Sequence, residues 1–151
     1  MEVTMLIFRV ITCFIGLTVI ASVACGGERV VMRSRVPADQ LSAIQHIKNP
    51  LPHTTDNIKK GKIIYVGKGR CIFCHGASGD GKDFAGILPD TQPSPRNFHN
   101  PEWQKARTDG ELKWVITFGV PGSAMLGHKA EMANDEEIWQ VVHYIRSFGQ
   151  R

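Results

Sequence analysis

Cysteine is scarce in this sequence: four occur in 151 residues, and two of them, Cys13 and Cys25, fall within the first 25. The remaining pair, Cys71 and Cys74, is too few for a disulfide framework. Charge of one sign is also lacking. The formal net charge of +4 is small and dispersed, which argues against nucleic acid as a partner. Lys59, Lys60, Lys62, Lys68 and Arg70 gather just before the cysteine pair. They read first as a solvated face and second as a surface for an acidic partner. There is no internal repeat and no low-complexity tract. The length suits one ordinary domain with accessory segments, not two.

Long apolar runs are confined to the start. Arg9 precedes a run from Val10 to Ala24, shorter than the ~20 residues of a membrane span and similar to the core of an export signal. Residues 1–25 are therefore expected to be a signal peptide. The alternative is an uncleaved anchor helix over Met5 to Ala24. Ala21 to Gly27 resembles the lipobox of bacterial lipoproteins, with Ser22 where Leu or Val is usual. A lipid on Cys25 would tie the domain to a membrane surface. Each reading puts the rest of the chain in the periplasm or on the outer face of the cytoplasmic membrane.

Residues 26–56 carry Pro37, Pro50 and Pro52 among polar residues and read as a tether, to which no chemistry is assigned. A short helix is expected from Ala38 to Lys48, ended by Pro50. A compact domain is expected over 57–151. Its first helix runs from Ile58 to Val66, capped by Asp56 or Asn57. Gly61 inside that helix costs about 1 kcal/mol relative to alanine, which makes sense where another helix crosses closely. Residues 76–100 are rich in Gly, Pro, Asp and Asn and form a long loop of the kind that wraps something. Short helical signals follow at Pro101–Arg107 and Asp109–Phe118, the latter with Asp109 as cap and Gly119 as stop. Asn134 and Glu137 form a capping-box pattern before a last helix with Ile138, Val141, Ile145 and Phe148 at three- and four-residue steps.

The decisive motif is Cys71-Ile72-Phe73-Cys74-His75. Two thiols at this spacing each reach one vinyl group of the same porphyrin, and the adjacent histidine faces the iron. A thioredoxin-like pair would need a βαβ context. A zinc site would need a second ligand pair. A plain disulfide would leave His75 without a role. The motif therefore predicts one covalent haem c. The sixth iron position has five downstream candidates: Met125, Met132, His99, His128 and His143. Met125 is favoured because it sits in a Gly/Pro-containing stretch between two helices, where a side chain can point inward; His128 comes next. A Met ligand raises the reduction potential relative to a second histidine. No catalytic residue is assigned.

Residues from about 57 to 149 resemble a class I cytochrome c domain of the bacterial monohaem type. The resemblance rests on Gly61 and Tyr65, on Cys71–His75 continuing into Gly76, and on Gly79-Asp80-Gly81. It also rests on Pro95-Arg96-Asn97-Phe98, on Gly119 to Met125, and on Tyr144-Ile145-Arg146-Ser147. It implies an all-α fold of three to five helices wrapped around one haem, with Met125 and His75 as axial ligands. It further implies that Gly61 and Tyr65 cross Val141 and Tyr144. Pro93 or Pro95 would offer a carbonyl to His75, and Arg96 and Trp103 would neighbour the haem propionates. The implied function is one-electron transfer between redox protein partners, as a carrier or as a subunit of a redox complex. The competing expectation is a haem enzyme or gas-binding domain, peroxidase-like, with a displaceable sixth ligand.

Overall fold

The apolar steps of the last helix decide how the chain packs. In the computed structural model, which describes residues 32–82, 94–132 and 134–150, six helices are present among the described residues. They are α1 Ala38–His46, α2 Thr55–Val66, α3 Ile72–His75, α4 Pro101–Ala106, α5 Asp109–Phe118 and α6 Asp135–Phe148. Five of them fall in the expected domain, and α1 precedes it. The only bridge among the described residues is an isolated antiparallel one between Gly119 and Leu126. The signal-peptide and Cys25 readings, and Pro93, lie outside the described residues.

Helix α6 buries Ile138, Val141, Val142, Ile145 and Phe148, and its main partner is α2. The expected role of Gly61 is visible at the crossing. A Cβ added there would lie 1.9 Å from the carbonyl oxygen of Gln140 and 3.1 Å from Cβ of Tyr144. Only glycine lets the two backbones approach this far. One turn on, Tyr65 packs edge-on against Tyr144 with centroids 5.1 Å apart. Its hydroxyl donates to the carbonyl of Gly76 at 2.8 Å, which ties α2 to the end of α3.

Helix starts differ from the sequence reading in ways that side chains explain. Thr54, not Asp56 or Asn57, caps α2 by accepting from the backbone N–H of Asn57 at 3.2 Å. Asn57 instead donates its amide to the Pro52 carbonyl, and Asp56 pairs with Lys60. Thr108, not Asp109, caps α5, with Glu111 completing a reciprocal capping box. Asp109 is occupied by Arg146 at 2.8 Å. Asn134 caps α6 as expected, while the Glu137 carboxylate pairs with Lys68 at 2.6 Å.

The sequence suggested a tether before residue 57, yet residues 32–54 dock on the helical body. Val36 is buried. Asn49 donates to the Trp139 carbonyl at 3.1 Å, and Trp114 donates its indole N–H to Gln40 at 3.2 Å. A Cβ on Gly110 would sit 2.0 Å from the Ile44 carbonyl oxygen, so α1 crosses α5 almost backbone to backbone. Polar, proline-rich composition is thus compatible with docking when backbone carbonyls and amides supply the partners.

Gly61→Ala gains about 1 kcal/mol of helix propensity, but the obstacle it meets is backbone, and overpacking costs about 1–3 kcal/mol or more. A net fall in Tm of several degrees is expected by calorimetry; an unchanged or raised Tm would contradict the close crossing. Tyr65→Phe leaves the buried Gly76 carbonyl without this donor and should lose about 1–3 kcal/mol. Urea denaturation reads the change directly as a lower midpoint at constant slope.

Candidate functional site

The Cys71–His75 motif forms a single helical turn. The amide of Cys74 donates to the Cys71 carbonyl at 3.2 Å and that of His75 to the same carbonyl at 2.9 Å. Residues three and four apart on a helix share a face, so Cys71, Cys74 and His75 point the same way. Arg70 enters the turn at φ 51°, a left-handed conformation unusual for a non-glycine residue. Gly76 leaves it at φ 76°, a conformation that suits glycine.

His75 is buried and held on three sides. Its ring stacks on Phe98 with centroids 4.5 Å apart and planes 21° apart. Its backbone carbonyl accepts from Gly81 at 3.1 Å. Its Nδ1 lies 3.4 Å from the carbonyl oxygen of Arg96. Of the described carbonyls it is that of Arg96, not Pro95, that faces the ring, while Pro93, the other proline expected there, lies outside the described residues. The Pro95 carbonyl is turned toward Gly81, where a Cβ would meet it at 2.6 Å. With the proton on Nδ1, the Nε2 lone pair is left for a metal. Burial pushes the imidazole pKa down to about 4, so the ring is neutral at pH 7. Cys71 and Cys74 are both free thiols, and burial pushes the Cys71 thiol up to about 12.

The Met125 segment is irregular but pinned. The Val120 N–H donates to the Met125 carbonyl at 2.9 Å, and the His128 N–H donates to the Ile116 carbonyl at 2.8 Å. Ser123 donates its hydroxyl to the Val120 carbonyl at 2.8 Å and accepts from the Met125 N–H at 3.2 Å.

These parts surround one cavity of about 310 Å³. Cys71, Cys74 and His75 line it together with Met125 and His128. Its apolar wall comes from Phe98, Leu112, Val115 and Ile116, and from Val141 and Ile145 of α6. The other three candidates for the sixth position are elsewhere. Met132 is buried in the core beside Gly69. His99 is 2.7 Å from the Ser78 carbonyl, and His143 is 3.0 Å from the Leu51 carbonyl.

Sequence reading missed two features of the cavity. One is the stacking of Phe98 on His75, whose only trace in the sequence is the Pro95–Phe98 stretch. The other is the extent of its positive charge, of which only Arg96 was expected. Arg33, Arg35, Arg70, Arg96 and Arg107 all line it, and Glu111 is the one carboxylate among the described lining residues. Trp103, expected near the haem propionates, lines it too. These arginines are scattered over the chain, and Arg33 and Arg35 belong to the stretch read as a tether.

The geometry agrees with what comparison finds. The sequence matches the cytochrome c family over residues 58–149. No curated protein matches the chain. Among solved structures, it is similar to a chain of the reducing HAO-like protein complex of Kuenenia stuttgartiensis, with a TM-score of 0.56 and 27% identity. The match covers 66% of this chain and 46% of that one, so this chain spans less than half of that relative's length. With its motif turn, its helical crossing and a family match over more than half of its length, this chain belongs to the cytochrome c family.

Proposed function

We propose that this protein is a class I cytochrome c that moves single electrons, holding one haem c through Cys71 and Cys74 with His75 and Met125 as axial ligands. The observation that carries the reading is the convergence of these four side chains on one cavity. The residues present fit a haem. The walls are apolar, the imidazole is neutral, and both thiols are free. The polar atoms include a buried guanidinium nitrogen of Arg35 with no hydrogen-bond partner, as expected where an acidic group completes the site.

When bound, haem supplies one-electron chemistry through the ferrous and ferric states of its iron. The chain's own residues set the conditions. The Arg96 carbonyl and the Phe98 ring orient His75, the kind of outer contact that tunes a metal ligand. The hydrogen bonds of the 119–128 loop hold Met125 at the wall, and a thioether there favours a higher potential than a second imidazole. Phe73 and Leu126 line the cavity and are exposed, at 54% and 74%. They form an apolar rim suited to a small, transient interface with a redox protein.

The working place of the protein is extracytoplasmic, in a respiratory chain, reached through the export signal of residues 1–25. It is held at the membrane by that segment or by a lipid on Cys25. Its role there is that of a carrier or of a subunit in a redox complex; the redox setting of the Kuenenia stuttgartiensis relative supports the subunit form.

Intact mass spectrometry of the exported protein should show the gain of one haem, absent from the Cys71→Ala/Cys74→Ala variant. A lipid mass on Cys25 reports the anchor. The ferric protein should show the weak near-infrared band of methionine–iron ligation. Met125→Ala should abolish that band and let the ferrous form bind CO. A wild-type protein that lacks the band and binds CO readily would favour the haem-enzyme or gas-binding reading instead.

A further inference from the structure

We propose that residues Met32–Val36, which precede the cytochrome c match, form a strap that lays Arg35 against the carboxylates of the haem in this cavity. The proposal rests on the haem reading above and names a positioning residue that lies outside the family core.

The strap is fixed on both sides of Arg35. Ser34 donates its hydroxyl to Glu111 Oε1 at 2.6 Å, and its oxygen accepts from the Val36 N–H at 3.3 Å. The Met32 carbonyl accepts from the Arg107 guanidinium. Val36 is 5% exposed. With its neighbours held, Arg35 is directed to the cavity wall. There its Nη2 is buried and has no hydrogen-bond partner. A guanidinium nitrogen taken from water without a partner is costly, and an anion in the cavity removes that cost.

The charge balance says what kind of anion. Arg96 and Arg107 are both pushed down by burial and by the neighbouring charge of Arg35. Arg35, Arg96 and Arg107 share the cavity lining with Arg33 and Arg70, so five guanidiniums face one cavity. Glu111 offsets one of them, and it is already engaged by Arg107 at 3.4 Å, by Ser34 and by the Thr108 N–H at 2.9 Å. Five guanidiniums against one carboxylate leave the described lining net positive, as suits the paired carboxylates of a haem edge. A haem edge carries two carboxylates, and a haem anchored at Cys71 and Cys74 occupies this same cavity. A cation at that edge disfavours the ferric state, which carries the extra positive charge, so Arg35 raises the reduction potential.

Redox titration of the haem-loaded protein tests this. Arg35→Leu should lower the midpoint potential by about 59 mV, which is a tenfold shift in a one-electron equilibrium. Arg35→Lys should recover at least half of the shift. Lys59→Gln, exposed on α2 and away from the cavity, should leave the potential unchanged. Resonance Raman bending bands of the haem propionates should move in Arg35→Leu. Should that variant fail to fold, Ser34→Ala, which releases the strap from Glu111, should lower the potential and move the same bands. A haem-loaded Arg35→Leu or Ser34→Ala protein with wild-type potential and bands overturns the strap while leaving the haem reading intact. A wild-type potential that changes with added phosphate, with propionate bands unmoved by Arg35→Leu, assigns the site to a free anion and also overturns it. Wild-type protein without covalent haem overturns the underlying reading and the strap with it.

Discussion

The backbone crossing of α2 and α6 at Gly61 is the constraint on which the rest depends. It sets the Gln140 carbonyl where a side chain would otherwise stand. That closeness places Tyr65 among Tyr144 and Phe148 and lets its hydroxyl hold Gly76. The motif turn begins five residues after α2 ends and is clamped at its far end by this bond. Phe148, at the end of α6, in turn packs against Phe98, the ring on which His75 rests. A single glycine thus connects the interhelical packing to the orientation of an imidazole.

The 119–128 loop on one side of the cavity owes its order to local hydrogen bonds. It closes on itself through Val120, Ser123 and Met125. Positive φ at Gly76, Gly79 and Gly81, and at Gly119 and Gly122, takes the described backbone there out of helical geometry. The chain uses irregular backbone where it must surround a ligand and regular helix where it must pack on itself.

Much of this was legible in the sequence. The motif, the 3–4 apolar steps of α6 and the out-of-place Gly61 each carry their meaning in local spacing. The helix caps were less legible because Thr54 and Asp56, or Thr108 and Asp109, are equally suitable cap residues, and long-range partners such as Arg146 decide between them. The support of His75 by the Arg96 carbonyl was hidden for a different reason. A backbone carbonyl has no residue signature, so composition cannot distinguish Pro95 from Arg96. The arginines of the cavity lie far apart in the chain, and only the docking of residues 32–54 brings the first of them to the site.

That docking also fixes a distance. If Cys25 carries a lipid, six residues separate it from Met32, the first residue seen against the helical body. A fully extended chain advances at most about 3.3–3.6 Å per residue, so the seven steps from Cys25 to Met32 reach no more than about 25 Å. A domain on so short a lead could not range far from the surface that holds the lipid. Redox partners would then have to meet the domain close to that membrane surface.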